Sequence, residues 1–265
     1  MDEKLKSELL ALADRLADAA KAETLGYFRS GALATQSKGD AGFDPVTAAD
    51  RAAEQIMREV IEAERPDDGI LGEEFGPKQS VSGLTWVLDP IDGTRGYISG
   101  TPTWGTLIAL HDGRQPVLGL IDQPYIGERF TGAGELARFT GPHGSSGLQV
   151  SGTQKISEAV VFTTFPEVGS SQEQAAFHAL AADCRLTRYG MDCYAYALLA
   201  MGQIDLVIEA GLHAYDIQAP IAVIEAAGGL VTTWDGGAAD QGGRVIAAAT
   251  PQLHEAALEV LARHV

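Results

Sequence analysis

Two acidic groups stand where a short apolar run gives out. Trp86-Val87-Leu88 reads as a buried strand, and Asp89-Pro90-Ile91-Asp92-Gly93-Thr94 follows it directly. Pro90 and Gly93 predict that the chain turns at once. Ligands bind at strand ends in open α/β sheets, so Asp89 and Asp92 are candidates for chemistry. Upstream, the apolar pair Ile70-Leu71 leads into Gly72-Glu73-Glu74. If the two apolar segments are neighbouring strands, Glu73, Asp89 and Asp92 converge on one sheet edge. Like charges about 4 Å apart repel by roughly 4 kcal/mol per pair at an effective dielectric of ~20. A cation belongs among them. Oxygen donors, with no Cys or His in either segment, select a hard ion, and Mg²⁺ suits because it keeps waters and recruits substrate phosphate. The plainer account makes Asp89-Pro90 and Asp92-Gly93 ordinary turn residues. It suits either pair alone, but a turn has no use for two carboxylates facing a Glu-Glu pair.

Gly72-Glu73-Glu74, then Asp89-Pro90-Ile91-Asp92-Gly93-Thr94, then Tyr215-Asp216-Ile217-Gln218-Ala219 resemble, in that order, the motifs of the inositol monophosphatase family. These are Mg²⁺-dependent, lithium-sensitive phosphomonoesterases, and the similarity extends over essentially the whole chain. The resemblance implies an α/β (α+β) fold, a layered α-β-α-β-α sandwich, assembled as a homodimer. It also implies a set of metal ligands. Glu73, Asp89 and the Ile91 carbonyl would hold one Mg²⁺, and Asp89, Asp92 and Asp216 a second; a third, looser ion would share Glu73. Two such ions, roughly 3.5–4 Å apart, neutralise phosphoryl oxygens, supply a nucleophilic water and stabilise the leaving alkoxide. Val46-Thr47-Ala48-Ala49-Asp50 matches a further pattern of the family, by which Asp50 supports Thr94. Thr94 and Glu73 would then take a proton from the attacking water. The N–H groups of Gly93 and Thr94 would cradle the phosphate, a glycine leaving room for the anion. Lys38 is expected in a loop that approaches the metals. Ordinary roles compete for several of these residues: by local sequence alone Thr47 and Asp50 read first as a capping-box-like pattern, and Asp216 first as a helix N-cap.

The substrate residues follow from a narrower resemblance. Thr94-Arg95-Gly96-Tyr97, Ser99-Gly100, Trp104-Gly105-Thr106-Leu107-Ile108-Ala109-Leu110 and Gly119-Leu120-Ile121-Asp122-Gln123-Pro124 look more like the histidinol-phosphate phosphatase branch than like inositol-type members. Gly96 and Tyr97 depart from the Ser and Phe that this branch often has. Asp192 and Glu209 could pair with the ammonium and imidazole of histidinol, and Arg95 is placed with them as a substrate contact. Asp192 is also a plausible loop or N-cap residue, and a glutamate at 209 can bind a hydroxyl. The expected reaction is hydrolysis of histidinol phosphate to histidinol and phosphate, a step of histidine biosynthesis. Inositol 1-phosphate, fructose 1,6-bisphosphate and adenosine 3′,5′-bisphosphate are the alternative esters. Outside enzymes, the alternative is a catalytically idle scaffold of the same fold.

Several elements must position these groups. Leu5, Leu9, Leu12 and Leu16 recur at alternating four and three, predicting a helix to Phe28. A second helix opens at Thr47 to Asp50, with Ala53, Ile56, Met57, Val60 and Ile61 on its apolar face. Between them, Gln36 to Pro45 reads as a mobile loop. After the central motif, residues 105–111 and 115–122 predict a hairpin about Asp112-Gly113-Arg114, and a third run covers 128–131. Gly132-Ala133-Gly134-Glu135-Leu136-Ala137 fits a dinucleotide fingerprint on paper. No helical pattern follows it, so a tight turn between antiparallel strands is the reading. The Gly141 to Gly147 stretch suggests a boundary between an N-terminal α+β half, 1–142, with most metal ligands, and a C-terminal α/β half, 143–265, with the substrate residues and the last ligand. In the latter, strands at 160–163, 204–208, 230–233 and 245–249 alternate with helices at 172–182, 194–201, 216–227 and 251–262.

Composition sets the outer limits. The 265 residues are 45% hydrophobic, enough for a large core. The net charge of −17, from 36 acidic and 19 basic residues, argues against nucleic acid or anionic membrane as a partner; a small-molecule phosphate ester is the partner that the family resemblance implies. Cys184 and Cys193 lack CxxC spacing, the N-terminus has no signal-peptide core, and no apolar run approaches membrane-spanning length. A cytoplasmic protein is expected. There is no GxSxG elbow, Walker A loop or HExxH motif, and the six histidines are scattered.

Overall fold

The leucine stripe near the N-terminus does form a helix. In a computed structural model that describes residues 2–30, 35–37 and 45–264, α1 (Glu3–Tyr27) is capped by Asp2, whose side chain accepts from Leu5 N at 2.8 Å. Two short strands, β1 (Thr35–Ser37) and β2 (Pro45–Thr47), pair antiparallel, and β2 leads straight into α2 (Ala48–Glu64). Lys38 and most of its expected loop lie outside the described residues, as does the side chain of Thr47.

A first sheet then builds up almost in chain order. β3 (Gly69–Gly72) and β4 (Thr85–Asp92) run parallel, and after the short helix α3 (Thr94–Ser99) five antiparallel strands follow. These are β5 (Gly105–His111), β6 (Pro116–Gln123), β7 (Glu128–Ala133), β8 (Leu136–Gly141) and β9 (Gly144–Gly147), giving the order β3-β4-β5-β6-β7-β8-β9. The second part of the chain supplies β10 (Val160–Thr163), α4 (Ser171–Asp183), β11 (Leu186–Tyr189), α5 (Cys193–Ala200), β12 (Leu206–Leu212), α6 (Ala214–Ala226), β13 (Leu230–Thr233), β14 (Gly243–Ala248) and α7 (Pro251–Leu261). Its sheet has the order β11-β10-β12-β14-β13.

Side-chain alternation along the strands explains how these pieces stack. In β4, Trp86 and Leu88 point to one face and join Leu9, Leu12, Leu16, Met57 and Ile61 of α1 and α2. Val87 points the other way, with Leu107, Ile121 and Phe130, into a core shared with α5, α6 and the inner face of the second sheet. On that sheet's outer face, Val161, Leu206, Ile208 and Ile246 pack against Phe177, Leu180, Leu253 and Leu261 of α4 and α7. A strand covered on both faces must be apolar at successive positions, which is why β4, β5 and β6 read as continuous apolar runs. The result is the expected layered α-β-α-β-α sandwich. Helix α6 lies hard against β6 and β7. Gly119 and Gly132 are cross-strand partners, and a Cβ on either would fall 2.3 Å from an α6 carbonyl oxygen.

Three expectations need correction. Pro90 does not end its strand: β4 runs on to Asp92, with a bulge between Asp89 and Asp92 where it pairs with β5. A bulge tolerates proline's missing donor, and the Pro90 carbonyl accepts from Thr106 Oγ1 at 2.8 Å. The turn falls at Gly93, whose φ of +87° suits glycine and leads into α3. The strand expected to end at Ile208 continues to Leu212, with a bulge after Glu209. The Gly141 to Gly147 stretch is the β8–β9 hairpin, and the chain passes between sheets at 148–159. The rejected dinucleotide motif is the β7–β8 turn, with Gly134 at φ +56°.

Candidate active site

The bulge in β4 sets the site. By displacing the register between Asp89 and Asp92 it brings both side chains to the same end of the sheet, and Ile91 N donates to Asp89 Oδ1 at 3.0 Å. Asp216 arrives from the first turn of α6. Its Oδ2 accepts from His213 N at 2.7 Å, so the capping role and the site role belong to one residue. Oxygens of Asp89, Asp92 and Asp216 lie within 4.8 Å of one another. Glu73, on the loop leaving β3, comes within hydrogen-bonding reach of Asp89. Across the cleft, the first residue of α5 closes on the group: Cys193 N donates to Asp92 Oδ2 at 2.5 Å, a helix N-terminus facing an anion.

Burial and like charge both resist ionisation here. The Asp89 carboxyl is pushed far above the usual range by burial, then by Glu73, Asp92 and Asp216, all of its own sign. Asp92 is raised by burial, Asp192 and Asp216, with Cys193 opposing. Asp216 is pushed up to about 6, burial again the largest cause. An oxygen-only donor set that cannot comfortably ionise by itself suits a hard divalent cation. The residues present therefore fit the metal that the sequence implied.

A cleft of ≈ 300 Å³ opens over these carboxylates, lined also by Ile91, Gly93, Thr94, Arg95, Asp192 and Glu209. Sequence reasoning placed every one of these residues at the site. Thr94 Oγ1 donates to the Ile91 carbonyl at 3.2 Å. Gly93 is small for a reason beyond anion room: its φ is positive, and a Cβ would sit 2.8 Å from Asp192 Cγ. Asp192 precedes α5 with φ +46° and makes no side-chain cap. It instead faces Thr103 Oγ1 at 3.4 Å and is pushed up to about 6 by burial, with Thr103 and Arg95 opposing. Strain of this kind in a non-glycine residue is maintained by its surroundings.

Glu209 accepts from Thr164 N at 2.7 Å, Thr164 Oγ1 at 2.8 Å and Thr163 Oγ1 at 3.2 Å. Burial still pushes it up to about 7. Asp50 is buried in the first turn of α2 and does not line the cleft; the phenol of Tyr97 in α3 is raised by burial and, after it, by Asp50. Glu74 differs from expectation. It turns away from Asp89 toward Arg51, 3.9 Å off, so only Glu73 of the pair enters the cleft. Thr164, Phe165 and Cys193 were missed. Phe165 stands 42% exposed at the cleft with the Arg95 guanidinium 4.9 Å from its ring centre, and a lone aromatic before a proline offered no signal.

The layered fold and the carboxylates gathered over an open cleft, together with a family match along nearly the whole chain, make this a hydrolase of phosphate monoesters. The chain belongs to the inositol monophosphatase family, whose model matches residues 5–265, a family that is Mg²⁺-dependent in general. It is 40% identical to the chloroplastic bifunctional phosphatase IMPL2 of Arabidopsis thaliana, over 96% of this chain and 75% of that protein. It is 36% identical to a histidinol-phosphatase of Streptomyces coelicolor, over 95% of this chain and 96% of that one. Among solved structures, an inositol monophosphatase from Zymomonas mobilis superposes with a TM-score of 0.86 at 39% identity, covering 97% of this chain and 98% of that one. No helix among the described residues is long and apolar enough to cross a membrane.

Proposed function

We propose that this chain is a Mg²⁺-dependent phosphatase that hydrolyses histidinol phosphate to histidinol and phosphate. The observation that carries the reading is one cleft holding two kinds of acid: the Asp89, Asp92 and Asp216 group, and the separate carboxyls of Asp192 and Glu209. A ligand with a phosphate at one end and an ammonium and imidazole at the other answers both. Glu209 and Asp192, raised to about 7 and about 6, would ionise fully beside a bound cation. Relatives named histidinol-phosphatase, such as that of Mycobacterium tuberculosis at 35% identity over 90% of each chain, support the substrate.

Glu73, Asp89 and the Ile91 carbonyl would hold one ion, Asp89, Asp92 and Asp216 a second, and Glu73 a share of a third. Such ions supply positive charge for the phosphoryl oxygens and a more acidic water. Thr94 Oγ1 donates to the Ile91 carbonyl, which leaves its lone pairs to accept from an attacking water, and Glu73 would take the proton. Asp50, behind α3, would steady Thr94. The N–H groups of Gly93 and Thr94 would orient the phosphate, and Arg95 with Asp192 and Glu209 would bind the rest of the substrate.

Phosphate release from histidinol phosphate, inositol 1-phosphate, fructose 1,6-bisphosphate and adenosine 3′,5′-bisphosphate, measured side by side, tests the proposal. The expected kcat/KM is highest for histidinol phosphate. Faster turnover of inositol 1-phosphate overturns the substrate, and no Mg²⁺-dependent release from any ester leaves an idle scaffold. The family resemblance also supports a cytoplasmic homodimer inhibited by lithium; light scattering that returns a monomer mass, or full activity in lithium chloride, removes the corresponding part.

A further inference from the structure

Helix α2 buries Ala53, Met57 and Ile61 as its apolar stripe, and beside that stripe Glu54 is enclosed just as completely. The side chain of Glu54 is 0% exposed and that of its partner Arg58 11%. An i,i+4 Glu–Arg pair normally sits in water and contributes little. Enclosing one takes two charges out of water and is seldom a net gain in stability. Its reason lies in what the two groups hold. Glu54 Oε2 accepts from Glu74 N at 2.7 Å, while Oε1 accepts from Phe75 N at 3.3 Å and from Arg58 Nε at 2.8 Å. Arg58 Nη2 donates onward to the carbonyls of Phe75 at 3.1 Å and Gly76 at 3.0 Å. The backbone of three consecutive residues is therefore fastened to α2. Gly72 makes room for this contact, since a Cβ there would fall 1.9 Å from Glu54 Oε1.

The fastened loop is the one that needs it. β3 is the end strand of its sheet, with β4 as its strand neighbour, and the chain leaves it at Gly72, one residue before Glu73. The far end of the loop is tied back by the Ile70–Lys78 bridge. Between those anchors the Glu54–Arg58 pair grips the main chain.

We propose that Glu54, held in place by Arg58, is a positioning residue of the phosphatase site: it fixes the 74–76 backbone so that Glu73 stands over the cleft beside Asp89, and thereby sets the affinity for divalent cation. This inference rests on the phosphatase reading. Glu54 itself does not line the cleft.

Glu54→Gln keeps the shape and one acceptor oxygen but removes the charge that holds Arg58. Calorimetric titration of metal-free protein with Mn²⁺, together with amide hydrogen exchange at Glu74 and Phe75, reads the effect. The variant is expected to bind Mn²⁺ about 10–100-fold more weakly and to exchange those two amides about tenfold faster. A purely structural role would lower the melting temperature and leave Mn²⁺ affinity intact; that result, or unchanged exchange at Glu74, overturns the proposal. Should Glu54→Gln not fold, Arg58→Lys retains the carboxylate and its two backbone donors while losing the carbonyl contacts. Mn²⁺ affinity equal to wild type in that variant also overturns it. Wild-type protein that binds no Mn²⁺ overturns the phosphatase reading and this inference together, whereas normal wild-type binding with a normal Glu54→Gln variant overturns the inference alone.

Discussion

Two groups of three aspartates gather around the seven-stranded sheet, and the fold treats them differently. Asp14 and Asp18 of α1 and Asp122 of β6 surround Arg129, whose guanidinium reaches them at 3.0, 2.7 and 2.7 Å respectively. Burial raises Asp122, and Arg129 pulls it back. At the other group, the charges acting most strongly on Asp89 all share its sign. Similar carboxylates thus meet a resident cation in one place and a cleft open to solution in the other. A guanidinium on β7 clamps α1 to the sheet; an ion taken up from solution would leave room for a phosphate.

The strongest way to break this contrast is Asp92→Asn. Turnover is expected to fall about a thousandfold, while the melting temperature in EDTA holds or rises as repulsion drops. Retained turnover would remove Asp92 from the metal site. Arg129→Met probes the opposite group: leaving Asp122 buried without its partner should lower unfolding free energy in urea by about 3–5 kcal/mol. Mg²⁺ should not restore it, and the folded fraction should keep its kcat. A loss of activity without a loss of stability would erase the distinction.

Glu209→Gln sharpens the comparison with a third case, a buried carboxyl held by neutral donors. Its folded pKa of about 7 lies above the ordinary 4.5, so between those pH values the folded state binds more protons than the unfolded. Wild-type stability therefore falls as pH rises through that window. Glutamine removes the dependence. Relative to wild type, the variant should gain nothing at pH 4 and up to about 3 kcal/mol at pH 8, measured by urea unfolding; a gap that does not widen with pH rejects it. The smallest effect is that of the ion itself. Mg²⁺ at about 100 times its Kd should stabilise wild type by roughly 2.7 kcal/mol and Asp92→Asn by less than half of that.

Local chemistry was legible in the sequence, and long-range geometry much less so. Glu73, Asp89 and Asp92 could be named because strand ends and acidic residues are local features, Asp216 only through the family resemblance because its own surroundings read as a helix N-cap, and the turn at Asp112-Gly113 because its glycine must take a positive φ. The strand through Pro90 was hidden because a bulge depends on the partner β5, not on the residues of β4. The approach of Asp192 to Gly93 joins positions far apart in the chain, and nothing in either segment announces it. Glu54 escaped notice because an acidic residue beside Ala53 and Met57 ordinarily marks the solvent side of a helix; its burial is explained by the distant Glu74 and Phe75 amides it holds and by the room Gly72 leaves for it.

The lateness of α6 has a consequence for making the protein. Val87, Leu107, Ile121 and Phe130 form a face that α5 and α6 cover, yet these helices follow the last strand of that sheet. A ribosome adding ~5–20 residues per second would leave the face bare for on the order of 4–16 s, long enough for nascent chains to find one another. Yield in a cell should then depend on how well chaperones shield an emerging sheet, more than on how firmly the finished molecule holds together.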